Sequence, residues 1–344
     1  VSTTATRPRR NIADLRPGEL IDYQVFRVVS KELRTASNGA LYLHAVLADA
    51  TGQLVARMWN TSAELYETIP ESGFLLCRGR TEHYGGKLQF IIDGLRAAEP
   101  GSFDPAELLP STTADVEAMW KEVKSILRQI KNPSLLALVG RFINDESFAS
   151  SFKRAPAAVA LHHAWLGGLL EHTLSTLRLA RVVCPLYPEV DQDLVLAGLF
   201  LHDAGKTREL AYDTSISYTS EGQLVGHITQ AVLWIRQKCA EIEAQAGQPF
   251  PRDVETALQH IILSHHGKHE FGSPRLPATP EAVMVHYLDN LDAKLSMMFE
   301  AIHNDPDAAS EWTAYVKALE TRVFKTRLPP PAQAGRRGDP PVAS

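Results

Sequence analysis

The stretch Leu199-Phe200-Leu201-His202-Asp203-Ala204-Gly205-Lys206 runs an apolar segment into an adjacent imidazole and carboxylate, then a small residue, a glycine and a lysine. Leaving an imidazole and a carboxylate unpaired in a core is costly. A divalent cation is one partner that accepts both nitrogen and oxygen ligands. Taken alone, the pair reads equally well as a helix C-terminus, with His202 favoured by the dipole and Gly205 ending the turn. The surrounding chain separates the two readings.

Around this stretch the chain is strongly helical, with apolar periodicity over 166–183, 193–202, 222–245, 253–264 and 280–302. A last helix is expected over 309–324. The histidines fall within these segments in a pattern. His172 lies in the first helix, His202-Asp203 end the second, His227 follows Gly226 in the third and His265-His266 end the fourth. Asp289 and Asp292 lie three apart on one face of the fifth. A bundle core lets such side chains converge. His172, His202, Asp203 and Asp289 would complete one mixed nitrogen–oxygen site. Asp203 would bridge to a second ion held by His227, His265 and His266. Two ions about 3.5–4 Å apart form a clamp for in-line attack on phosphorus. Lys206, one turn past Asp203, is placed to face a substrate phosphate as a point charge, although a lysine at a helix C-terminus is unremarkable by itself. Gly167 and Gly168 precede His172 by a turn and permit close approach of a helix or a substrate. His162 and His163 are read as substrate contacts and not as ligands. The loop Glu270-Phe271-Gly272-Ser273-Pro274 is either a specificity loop or an inert turn.

Towards the N-terminus the pattern changes to β. Tyr23–Val29, Leu41–Leu47 and Leu54–Trp59 are strand-like, with the turn signal Asp49-Ala50-Thr51-Gly52 between the last two. Leu75–Thr81 and Leu88–Ile92 form a second hairpin around Tyr84-Gly85-Gly86-Lys87, and a short helix is expected over 61–69. Five strands with one helix between the third and fourth suggest a small Greek-key barrel of the OB type. The expected organisation is a disordered tail over 1–12, the barrel over 13–100, a helical connector over 101–155, the helical bundle over 156–324 and a Pro/Gly/Ala-rich tail over 325–344. The fold class is therefore multidomain: an N-terminal OB-type β-barrel followed by an all-α bundle.

Composition narrows the partners. Among 344 residues, 44% are hydrophobic and 22% charged, as in a globular protein with a sizeable core. The formal net charge of −5 means that any nucleic-acid binding must come from a local patch. Cys77, Cys184 and Cys239 are far apart, fit a reducing compartment and argue against a cysteine zinc site. No apolar run reaches membrane-spanning length and the first residues lack a signal-like segment, so a cytoplasmic location is the default expectation.

With these residues laid out, the helical half resembles the HD-domain metal-dependent phosphohydrolases, through His172, His202-Asp203 and Asp289. The additional His227 and His265-His266 resemble the two-metal branch. The whole is similar to the YhaM family of 3′→5′ exoribonucleases, which join an OB-fold to an HD domain. The stretches carrying this are 167–173, 201–206, 222–227, 264–267 and 286–294, in a similarity spanning about 13–322 and weaker in the barrel. It implies two divalent ions per chain, most often manganese, with Mg2+, Co2+ or Fe2+ as alternatives. It makes Asp289 the ligand, and leaves Asp292 to support a ligand from behind or to sit on the helix surface.

The leading expectation is thus a metal-dependent 3′→5′ exonuclease acting on single-stranded RNA, with single-stranded DNA as a second substrate, and releasing nucleoside 5′-monophosphates. Asp203 and Lys206 would be its catalytic residues. OB barrels hold strands by stacking bases on aromatics beside a basic groove. Trp59, Arg57, Tyr84, Lys87, Arg78 and His163 are the contacts expected here, with Tyr42, Phe90 and Arg80 as further candidates; about half of the barrel set would alternate into the core. Two alternatives stand beside this: a nucleotide phosphohydrolase for monomeric substrates, and a non-catalytic nucleic-acid-binding accessory protein. A homo-oligomer is left open, and no membrane partner is expected.

Overall fold

The computed structural model describes residues 9–70, 73–99, 101–104, 107–159, 163–213, 215–303, 305 and 310–325. Residues 1–292 form one compact unit and residues 293–344 a second. Within the described residues no helix is long and apolar enough to cross a membrane.

The first unit begins with a closed barrel of β1 (Leu20–Thr35), β2 (Leu41–Asp49), β3 (Gly52–Trp59), β4 (Gly73–Tyr84) and β5 (Lys87–Ala97), in the order β1-β2-β3-β5-β4. The long β1 serves two partners: residues 27–35 pair with β2 and residues 20–28 with β4. Register shifts at Val28/Ser30 and Ile21/Gln24 let it bend between them. Parallel pairing of β3 with β5 closes the barrel. Apolar residues such as Phe26, Leu43, Leu47, Leu54, Leu75 and Phe90 fill the inside. The short α1 (Ala63–Glu67), capped by Ser62, lies between β3 and β4. The β2–β3 turn is built by Asp49, whose Oδ1 accepts from the backbone N of Thr51 (2.7 Å) and of Gly52 (3.1 Å). Its Oδ2 accepts from Ile12 N at 2.7 Å. Residues 9–12, expected to belong to a disordered tail, are therefore tied to the barrel, with Ile12 buried. The rest of that tail, and nearly all of the C-terminal one, lies outside the described residues.

Three connector helices follow: α2 (Val116–Leu127), α3 (Pro133–Ile143) and α4 (Glu146–Arg154), with Asp115, Asn132 and Asp145 as N-caps. They share one core with α5 (Gly168–Val183), α6 (Gln192–Leu201), α8 (Ser220–Ala246), α9 (Arg252–Ser264) and α10 (Pro280–His303). Trp120, Phe152 and Phe200 pack ring against ring at its centre. Every residue of α6 from Val195 to Leu201 is buried, as expected of a helix that is apolar all round. This central helix delivers His202 and Asp203 into the middle of the bundle. Between α6 and α8 come α7 (Lys206–Glu209) and a small hairpin of β6 (Leu210–Ala211) and β7 (Ser217–Tyr218) that the sequence reading did not anticipate.

The expectation of a final helix over 309–324 is corrected. The described part is a hairpin of β8 (Trp312–Val316) and β9 (Thr321–Phe324) in the second unit. Thr313, Val316, Thr321 and Val323 with Trp312, Tyr315 and Phe324 favour the pleated conformation, and Glu320 takes the left-handed turn conformation (φ 53).

Candidate metal centre

Five imidazoles and two carboxylates converge at the inner ends of α5, α6 and α9, just after the start of α8 and midway along α10. On one side His172 Nε2 lies 3.2 Å from His202 Nε2 and 3.2 Å from Asp289 Oδ1. Asp203 Oδ2 is 3.3 Å from His202 Nε2 and 4.0 Å from His172 Nε2. On the other side Asp203 Oδ1 is 3.4 Å from His227 Nε2 and 3.7 Å from His265 Nε2. The ring of His266 lies edge-on to His265, 4.3 Å between centroids, and tilted to His227 at 5.2 Å. Two ligand groups thus share one carboxylate, with a different oxygen turned to each.

The donor chemistry fits metal binding. All five imidazoles engage Nδ1 elsewhere. His202, His265 and His266 pair it with the carbonyls of Leu199 (2.9 Å), Ile262 (2.7 Å) and Phe271 (2.7 Å). His172 pairs it with Asp292 Oδ2 at 2.8 Å, and His227 with Glu209 Oε1 at 2.8 Å. With a proton on Nδ1, Nε2 of each neutral ring is left as a lone-pair donor, while His172 must first shed the Nε2 proton it shares with Asp289. Asp203 Oδ1, His227 Nε2 and His265 Nε2 are buried with no hydrogen-bond partner. Orphaned buried polar atoms call for an explanation, and three of them facing one another form a ready coordination set. His227, His265 and His266 offer ligand atoms within 4.8 Å of one another, as do His172, His202 and Asp203. Ligand atoms sharing one ion at bonds of about 2.1 Å lie roughly 3–4 Å apart.

Charge is uneven across the cluster. Burial pushes the His172 imidazolium down, but its hydrogen bonds to Asp289 and Asp292 outweigh this and raise its pKa to about 10. Burial holds His265 well below the usual imidazole range, with His266 and His202 adding to the effect. Burial pushes Asp203 up, yet the Lys206 ammonium and His202 bring it well below the usual carboxylate range. Lys206 Nζ donates to Asp203 Oδ2 at 2.7 Å. The lysine expected to face a substrate is thus engaged with the shared carboxylate. Asp292 accepts from Ser175 Oγ and sets the direction of His172.

Backbone geometry lets the groups meet. Gly226 (φ 73) breaks α8 just before His227, a conformation that suits glycine. A Cβ on Gly205 would sit 2.2 Å from the His227 carbonyl oxygen. At Gly168, too, a Cβ would meet the His163 carbonyl oxygen at 2.1 Å, so the close approach expected at this glycine is to the chain's own backbone. The structure places His163, expected to contact the strand, beside Asp292. It is 6% exposed, with Nε2 3.4 Å from Asp292 Oδ2, and so faces the back of the cluster. His162 lies outside the described residues.

On the barrel, Trp59 and Tyr84 are exposed, at 47% and 64%. Tyr42 packs 5.0 Å from Trp59, and the Arg57 guanidinium lies 5.3 Å over the Tyr84 ring. His44, opposite Arg57 in the β2–β3 register, joins this face. Sequence reasoning missed it, although outward alternation with Tyr42 would have found it. Lys87 is exposed just beyond the β4–β5 turn. Arg78 stacks instead over Tyr23, 5.5 Å away, on the β1–β4 side. Arg80 is 3.4 Å from Asp93. Phe90 is wholly buried against Phe26 and belongs to the core. Glu209 is the other residue missed, for nothing in its local sequence distinguishes it from other acidic residues.

The HD domain family model matches residues 169–294. Among solved structures, the chain is similar to the protein PriB from Ralstonia solanacearum, with 20% identity over 22% of this chain and 93% of that one and a TM-score of 0.20. It is also similar to the second OB-fold domain of replication protein A from Methanococcus maripaludis, with 18% identity over 28% of this chain and 98% of that one and a TM-score of 0.22. Residues 169–294 are therefore an HD domain, of the metal-dependent phosphohydrolase superfamily, and they follow an N-terminal closed barrel of the OB type.

Proposed function

We propose that this protein is a metal-dependent 3′→5′ exonuclease that degrades single-stranded RNA, and single-stranded DNA as a second substrate, to nucleoside 5′-monophosphates. The observation that supports it most is the presence, in one chain, of a seven-residue His/Asp cluster shared through Asp203 and a barrel with an exposed aromatic and cationic face. A monomeric nucleotide has no need of such a face, whereas a strand stacks its bases on one.

His172, His202, Asp203 and Asp289 would hold one divalent ion, and Asp203, His227, His265 and His266 a second, with manganese the expected metal. Such ions supply an activated water at neutral pH and neutralise charge on the phosphoryl oxygens. Asp203 spans both groups and keeps its carboxylate ionised beside Lys206. Lys206 adds a buried positive charge next to the reacting phosphate. Asp292 fixes the ring of His172 from behind. Trp59, Tyr42 and Tyr84 would stack bases while Arg57 and Lys87 meet backbone phosphates. No 2′-hydroxyl enters this chemistry, so DNA is cut as well. The polarity follows from the resemblance to the YhaM family.

A 5′-labelled oligonucleotide with Mn2+ should shorten as a ladder, and a 3′-labelled one should release labelled 5′-mononucleotide at once. Internal cuts in a circular strand or 3′-monophosphate products would sink the assignment. Hydrolysis of free nucleotides in preference to strands would favour the mononucleotide phosphohydrolase instead.

A further inference from the structure

The five converging imidazoles are not supported alike. Three rest Nδ1 on a backbone carbonyl, and two rest it on a carboxylate. The two carboxylate-backed rings fall one in each ligand group: His172 with Asp292, and His227 with Glu209. Glu209 lies on the same short segment as Asp203 and Lys206. His227 is thereby held between two carboxylates of that segment, with Asp203 Oδ1 3.4 Å from Nε2 and Glu209 Oε1 2.8 Å from Nδ1.

Glu209 Oε1 also accepts from the His227 backbone N at 3.0 Å. The side chain is about nine-tenths buried, and burying a carboxylate is costly without a dedicated partner. The bond to the backbone N secures the chain after the break at Gly226, but that role does not require the second bond, to the ring. The tie between α7 and the start of α8 is already made by the Glu209 backbone carbonyl, which accepts from Thr219 N at 2.9 Å. The side chain is left with one customer, His227, and the break at Gly226 brings both nitrogens of that residue to it.

We infer that Glu209 is a positioning residue for the second metal position: it fixes His227 as the Nδ1–H tautomer, turns its Nε2 lone pair towards the metal position beside Asp203 Oδ1 and raises its donor strength. A carboxylate behind a ligating histidine typically supports metal affinity by 10- to 100-fold. The inference rests on the two-ion reading above. It assigns separate control to each group, Glu209 for the His227 side and Asp292 for the His172 side.

The test is Mn2+ titration of the full chain by calorimetry and electron paramagnetic resonance, with nitrogen NMR of the imidazoles in the metal-free state. Wild type should bind two ions. Glu209→Gln keeps the size and an acceptor oxygen for the backbone N of His227 but loses the charge. It should weaken one ion by about 10-fold or more, leave the other unchanged and shift His227 towards a mixture of tautomers. Glu209→Ala should do more. If that variant does not fold, Glu209→Gln decides. A folded Glu209→Gln that binds both ions as wild type does, or that weakens both equally, overturns the inference while leaving the two-ion reading standing. A wild type that binds fewer than two ions removes that reading, and the inference with it.

Discussion

Asp203 turns one oxygen to each ligand group, so its loss touches both. Asp203→Ala should lose both ions by metal analysis of the purified protein and lower turnover by roughly 1,000-fold, since a bound metal contributes several kcal/mol of charge stabilisation. Full metal content in that variant would contradict a shared carboxylate. Gly205→Ala tests the packing beside it. The added methyl would meet the His227 carbonyl at 2.2 Å, and overpacking of this kind costs about 1–3 kcal/mol. Urea unfolding should show that loss together with weaker Mn2+ binding. The histidines could be read in the sequence because imidazoles are scarce and each stood at a helix end, beside a glycine or, as His172 does, inside an apolar helix. Glu209 could not, being one of 40 acidic residues whose partner lies 18 positions away. The burial of His163 could not be read either, because nothing in its sequence shows that α5 starts by packing Gly168 on its carbonyl.

Among the elements, α4 depends on Asp145. Its side chain accepts from Phe148 N at 3.1 Å and pairs with Lys238 on α8 at 3.1 Å. Asp145→Ala should cost about 1–2 kcal/mol in urea unfolding. The bond from Phe148 N, aided by Lys238, lowers the Asp145 pKa in spite of burial. With a depressed folded value, its contribution is present above the ordinary value of 3.8 and is lost as the pH falls through the folded value. The difference between wild type and Asp145→Ala should accordingly shrink below about pH 4. On the barrel, Trp59→Ala should weaken single-strand binding by about 1–3 kcal/mol, the worth of one stacked base, with an unchanged circular dichroism spectrum. Equal affinity would assign this face another role. The barrel strands were legible because turn signals bracket alternating apolar runs. The hairpin over 312–324 was not, since 309–324 also carries apolar residues at helical spacing and only its β-branched and aromatic content argued otherwise.

At the scale of the molecule, metal and fold are linked. Ions that bind only the folded chain stabilise it by about 2.7 kcal/mol at a hundredfold excess over Kd. Excess Mn2+ should raise the melting temperature by several degrees, and a chelator should reverse it; an unchanged melt would mean that the cluster binds no ion. Strand binding should weaken steeply with salt, because in a chain of net charge −5 it depends on a local cationic patch.

The central position of α6 has a consequence in time. Asp203 is delivered by a helix buried on every side, and its partners are spread from His172 to Asp289. Chains fold as they leave the ribosome, N-terminal parts first. The barrel, complete by Ala97, can close long before that last carboxylate is made. A nascent chain that ends before α10 has a barrel but an incomplete His/Asp cluster, so the cluster can assemble only after synthesis has passed Asp289.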